Sequence, residues 1–179
     1  MPDWDPETFT RDLIVDMRAH DGVPASGPFA GRKVLILNTK GARSGEPRSA
    51  VLAYRQDGER WSIAASKGGA PIHPAWFYNL GAHPDDVTIE VSNQIIPVRP
   101  LIAIEGPERD RLWKAHVEEM PGFGEYPKKT QRVIPMIARA RRLTRPRAAR
   151  PGPAAAPDVN PRPSSSRHST RAANRRMTA

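Results

Sequence analysis

Short apolar runs, each closed by a turn signal, follow one another from Val34 to Ile104, and this punctuation constrains the fold more than any other feature of the chain. Val34-Leu35-Ile36-Leu37 is a continuous apolar run bounded by turn residues, which predicts a buried strand. Gly41 to Pro47 reads as a turn and Arg48 to Gln56 as the next strand. Asp57-Gly58 is a hairpin signal, after which Trp61, Ile63 and Ala65 alternate with Ser62 and Ala64. Val87, Ile89 and Val91 alternate with Thr88 and Glu90 before Ser92-Asn93 turns the chain. Gln94 to Ile104 reads as a further strand, which Pro97 and Pro100 should confine to an edge or a bulge. Helices flank these strands. Asp5-Pro6-Glu7 is a good helix start, followed by Phe9, Leu13 and Met17 at four-residue spacing. Pro74 to Leu80 and Glu105 to Glu119 read as two more, and Val133 to Ala138 fits either strand or helix. The expected fold is mainly β, an antiparallel sheet closed into a small barrel with helices at its ends.

Charge separates the body from a tail. The chain has 179 residues and a net charge of +9. From Arg139 onward it carries eleven arginines and one acid, Asp158, so residues 1–138 hold 17 bases against 18 acids. The basicity therefore says little about the body. Residues 144–179 are rich in Pro, Ala, Ser and Arg and should be disordered, because they lack the apolar side chains to offset chain entropy. Three segments are expected: an N-terminal helix and loop (1–30), a barrel domain (31–143) and the basic tail (144–179). With no cysteine, disulfide scaffolds, thiolate metal sites and thiol catalysis are excluded. No apolar stretch is long enough to span a membrane. The acidic N-terminus does not read as a secretory leader, so a cytoplasmic protein is expected.

The five histidines (20, 73, 83, 116 and 168) are scattered, and no metal site is expected from them. Phosphate-loop, dinucleotide-fingerprint and nucleophile-elbow patterns are absent. Two stretches carry chemistry instead. Asn38-Thr39-Lys40-Gly41-Ala42-Arg43-Ser44-Gly45-Glu46-Pro47-Arg48 gathers three cations, two hydroxyls and several backbone N–H groups. That set suits a phosphate or carboxylate ligand, and it equally fits an ordinary solvated hairpin loop. The second stretch is Ala65-Ser66-Lys67-Gly68-Gly69-Ala70-Pro71-Ile72-His73-Pro74-Ala75-Trp76-Phe77-Tyr78-Asn79-Leu80. Its paired glycines let backbone approach a flat ligand, the helix opening at Pro74 offers N–H groups to an anion, and Trp76 could flank a ring. The alternative makes Trp76 and Phe77 core residues and the glycines a turn.

Taken together and in this order, the two stretches resemble the deazaflavin (coenzyme F-420)-dependent nitroreductase and quinone reductase family. Glu108-Arg109-Asp110-Arg111-Leu112-Trp113 and Thr130 to Met136 also fit, so the resemblance spans about residues 31–138. It implies a split β-barrel similar to flavin-reductase and pyridoxamine-oxidase-like domains, and a non-covalently bound deazaflavin. It places Lys40, Arg43, Ser44 and Arg48 at the coenzyme's phosphate and oligoglutamate tail. Ser66, Lys67, Gly68 and Gly69 fall beside the deazaflavin, and Pro74, Trp76 and Asn79 on the following helix. The family's Tyr-Pro-x-Tyr-x-x-Tyr pocket stretch corresponds here to Met120-Pro121-Gly122-Phe123-Gly124-Glu125-Tyr126. Met120, Phe123 and Tyr126 are thus the substrate-binding candidates, and only Tyr126 keeps its phenol.

The expected activity is hydride transfer from reduced F-420 to an electron-poor acceptor: a quinone, an enone or a nitroaromatic. Ser66, Tyr126 or water would supply the acceptor's proton. Two alternatives remain open at this level. One is a flavin or deazaflavin carrier of the same fold without turnover. The other is a protein that binds nucleic acid or an anionic membrane surface through its arginine-rich tail.

Overall fold

The computed structural model describes residues 5–141, Arg141 by its backbone alone. Contacts within the chain divide it into two units, Met1–Leu143 and Thr144–Ala179. The second unit, and with it the expected disordered tail, lies outside the described residues.

Helix α1 (Pro6–Ala19) begins as its first residues dictate. The Asp5 carboxylate accepts hydrogen bonds from the N–H groups of Glu7 (3.2 Å) and Thr8 (3.0 Å), filling two of the vacant donors at a helix start. Strands β1 (Val34–Lys40), β2 (Pro47–Ala53), β3 (Arg55–Asp57) and β4 (Arg60–Ala64) follow, then α2 (Ala75–Ala82). Next come β5 (Thr88–Val91), β6 (Gln94–Ala103), α3 (Pro107–Glu119) and β7 (Met136–Arg141). All pairings are antiparallel, in the order β2-β1-β5-β6-β7-β4-β3. The mainly-β split barrel is therefore present as one curled sheet with flanking helices, with β2 and β3 as its edges.

Three expectations need correction, and one left open is settled. Pro97 and Pro100 do not put β6 at an edge; it lies in the middle of the sheet. Residues 94–97 pair with β5 and residues 98–103 with β7, so β6 turns the corner of the curl between two prolines that lack the N–H a continuous ladder would use. The expected strand from Arg48 to Gln56 breaks at Tyr54. Its first part pairs with β1 and its second with β4, because the chain crosses there from one half of the curl to the other. Asn38, Thr39 and Lys40 continue β1 rather than belonging to the turn. Val133 to Ala138, open between strand and helix, contributes its last three residues to β7, which runs on from Arg139 to Arg141. Arg139 is fully buried, and no guanidinium nitrogen has a partner among the described residues.

Burial on both faces explains the unbroken apolar run in β1. Leu35 and Leu37 point into the curl with Ile63, Ile89, Ile96, Val98 and Ile137. Val34 and Ile36 meet Leu13, Ile14 and Met17 of α1. On the opposite half, Ala64, Met136 and Ala138 pack against Leu112 of α3 and Ile134. Glu90, 7% exposed, ties α1 to the sheet: Arg18 donates to it at 2.9 and 2.7 Å and Asn38 at 3.0 Å.

Candidate functional site

Where the chain crosses between halves at Tyr54, a cavity of about 620 Å³ opens. Its floor is Val51 to Tyr54 with Ala64 and Ser66, and its far wall is Glu119 to Phe123 with Tyr126. Phe29, Arg32 and Lys33 complete the rim. Ser66, Met120, Phe123 and Tyr126 come from distant parts of the sequence and meet here. Ser66 is 8% exposed, and neither its hydroxyl nor that of Tyr126 has a hydrogen-bond partner among the described residues.

The loop after β4 is built from unusual backbone. Lys67, Gly68 and Gly69 all have positive φ, at 47°, 63° and 84°, a region that L-residues rarely adopt. The two glycines serve different ends. A Cβ on Gly68 would meet nothing within 4 Å, whereas one on Gly69 would lie 2.9 Å from Lys129 Cβ and 3.0 Å from the Tyr126 carbonyl oxygen. Gly69 is thus where the loop packs against the short 3-10 segment Pro121–Lys128, and Gly68 is open to a ligand.

The turn end of the β1–β2 hairpin, from Lys40 to Arg48, does not line the cavity. Lys40 pairs with Asp86 at 3.0 Å, the Ser44 hydroxyl accepts from the Glu46 N–H at 3.2 Å, and Arg48 donates to the Pro47 carbonyl at 2.9 Å. Arg43 and Arg48 are exposed and have no carboxylate partner among the described residues, which leaves two cations for an anionic ligand. Behind them, Pro74 caps α2 and Trp76 is 9% exposed within the inner core. The Asn79 side chain is occupied by the fold: it accepts from the Ala42 N–H (2.9 Å) and donates to Thr39 Oγ1 (3.1 Å). Asn79 therefore docks α2 against the hairpin turn.

Arg32, Lys33, Tyr54 and Glu119 were not among the sequence candidates. Lys33 donates to Glu119 at 3.1 Å, and Arg55 lies 3.5 Å from the same carboxylate. The adjacent bases Arg32 and Lys33 ahead of β1 were the one available signal for a charged rim. Phe123 is held edge-on between His116 (4.5 Å) and Tyr126 (5.1 Å). His116 is fully buried with neither ring nitrogen partnered among the described residues, and burial pushes its imidazole down to about 4. Burial and the Arg132 charge lower His73 as well.

These shifts set a pH dependence. Below the unfolded histidine value of about 6.5 the unfolded chain takes up protons that the folded one refuses, so stability should fall between pH about 6.5 and 4. His116→Leu should flatten that fall, because an apolar side chain replaces an unpartnered buried imidazole. Melting temperatures across this range provide the measurement, and a variant that loses stability as steeply as the parent would clear His116 of the effect.

The family described as F420H(2)-dependent quinone reductase matches residues 10–140, which extends through α1. An F420H(2)-dependent quinone reductase of Mycobacterium tuberculosis is 38% identical over 114 residues, covering 60% of this chain and 73% of the relative. A solved structure described as an F420-H2 dependent reductase is 35% identical with a TM-score of 0.54, over 60% of this chain and 94% of that one. Another, described as a domain-swapped dimer, is 32% identical with a TM-score of 0.56, over 75% of this chain and 99% of that one.

Proposed function

The chain belongs to the F420H(2)-dependent quinone reductase family, oxidoreductases whose reductant is reduced coenzyme F-420, and from that premise we propose how its own residues divide the work. The cavity is where the acceptor meets the coenzyme's ring, and the β1–β2 hairpin holds the coenzyme's anionic end. The observation that carries this reading is the meeting of Ser66, Met120, Phe123 and Tyr126 around one cavity of about 620 Å³, beside a glycine loop with open space at Gly68. The residues fit the coenzyme: two unpaired arginines suit its anions, and a volume of this size suits a flat ring with a small acceptor.

When bound, the reduced coenzyme supplies a hydride. The protein's part is to hold donor and acceptor in contact, exclude water and deliver a proton. Lys40, Arg43, Ser44 and Arg48 bind the anionic end, with Lys67, Gly68 and Gly69 beside the ring. Pro74, Trp76 and Asn79 hold the helix that backs the site. Met120 and Phe123 give the acceptor an apolar wall. Ser66 and Tyr126 line the cavity, and their hydroxyls would donate to the oxygen that gains charge. A quinone, whose carbonyls need one donor each and whose ring favours an apolar wall, suits this cavity better than a bulky nitroaromatic does. Residues 31–143 form the coenzyme-binding domain in this reading. The arginine-rich stretch from 144 onward is assigned weak contact with an anionic membrane surface from the cytoplasmic side, on charge alone.

The test is to mix the purified chain with reduced F-420 and menadione and follow coenzyme reoxidation by absorbance. Turnover supports the reading; binding without turnover would make the protein a carrier. Replacing both Arg43 and Arg48 with alanine should weaken coenzyme binding by about 2 kcal/mol or more, the scale of one or two charge-assisted contacts. Unchanged affinity in a fluorescence titration would remove the hairpin from the site.

A further inference from the structure

Arg132 lies between the 3-10 segment and β7 and reaches back beneath the glycine loop. Its Nε donates to the Ala70 carbonyl at 2.8 Å, and its Nη2 to the carbonyls of Ala65 (3.0 Å) and Ser66 (2.7 Å). Its Nη1 donates to His73 Nδ1 at 3.1 Å. One planar fork thus grips both ends of the loop and the approach to α2, and it makes no ion pair with a carboxylate among the described residues. The loop needs such a grip. It holds three successive residues at positive φ, while the Gly69 N–H to Ser66 and the Ala70 N–H to Lys67 are its own backbone bonds. Glycine adopts such φ freely, so the strain sits at Lys67 (φ 47°), and strained backbone persists only where its surroundings over-determine it. Four of its five guanidinium N–H groups are spent on the protein, so Arg132 acts chiefly through the loop.

We propose that Arg132 is a positioning residue that fixes the 65–70 loop, and with it Ser66, in the geometry that binds the coenzyme and orients the acceptor. This rests on the reading that the loop seats the deazaflavin. A lysine could not replace it, since a compact ammonium lacks the rigid fork that spans three carbonyls.

The experiment uses the full chain with Arg132→Lys and Arg132→Ala. Amide hydrogen exchange is measured first without coenzyme, then affinity for oxidised F-420 by fluorescence, then kcat and KM with menadione. In both variants exchange at Gly69 and Ala70 should quicken about tenfold, as the loss of one charge-assisted bond allows, while amides of β1 and β5 keep the parent's rates. Coenzyme Kd should rise about tenfold, and kcat at saturating coenzyme should fall while the menadione KM changes little. Added guanidinium should restore part of the kcat of Arg132→Ala, a recovery that a general loss of stability would not show. Parent-like exchange in the loop would overturn the proposal, as would equal acceleration in β1 and β5. Faster loop exchange with unchanged coenzyme Kd would overturn it through its premise, by separating the loop from the coenzyme.

Discussion

A protein carrying Gly69→Ala should unfold about 3 kcal/mol more readily than the parent and lose most of its quinone reduction. Two costs add. At φ 84° an alanine pays about 1–2 kcal/mol for left-handed backbone. Its methyl would also press on Lys129 Cβ at 2.9 Å and on the Tyr126 carbonyl at 3.0 Å, an overpacking that costs about 1–3 kcal/mol. The lysine stem can shift, but the carbonyl belongs to the segment that carries Phe123 and Tyr126, so relief comes by moving the cavity wall. Gly68→Ala is the internal comparison. It has nothing within 4 Å and should cost only the backbone part. Urea melts of the two variants side by side provide the check, and equal losses would show that the Gly69 contact does not shape the wall.

Removing both cavity hydroxyls, with Ser66→Ala and Tyr126→Phe together, should lower kcat for menadione about a hundredfold, the lower end of what a positioned proton donor contributes. Each single change should cost much less, since the other hydroxyl remains. Coenzyme affinity should fall less than in the Arg43 and Arg48 double variant, because neither hydroxyl belongs to the cationic hairpin. The informative quantity is the departure from additivity in kcat. A double variant that turns over at the parent's rate would assign proton delivery to water. Phe123→Tyr tests the same wall in the other direction: it adds a phenol beside Tyr126, at a ring spacing of 5.1 Å, and should improve nitroaromatic reduction relative to quinone reduction.

Much of this molecule could be read along the chain. The Asp5 cap, the Asp57-Gly58 hairpin and the strands around Ile63 and Ile89 each depend on neighbours a few residues away, and each formed where the sequence placed it, though burial on both faces replaced the expected alternation. The motif stretches were also legible, since their residue types suit anions and flat rings whatever surrounds them. Trp76 and Asn79 show the limit. As residue types they fit a ligand or a core equally well, and only packing placed one in the inner core and committed the other's amide to Thr39 and Ala42.

Local pattern was enough for most of the strands and turns, for the family and for the chemical character of the hairpin and the glycine loop. Tertiary structure alone decided that β6 turns a corner between Pro97 and Pro100, and that the chain crosses at Tyr54. It decided too that Arg132 grips a loop more than sixty positions earlier. Those outcomes rest on strand register and on the curl of the whole sheet. A cavity walled by residues near 30, 52, 65 and 122 exists only because long-range pairing brings them together, and no local pattern of side chains encodes that distance.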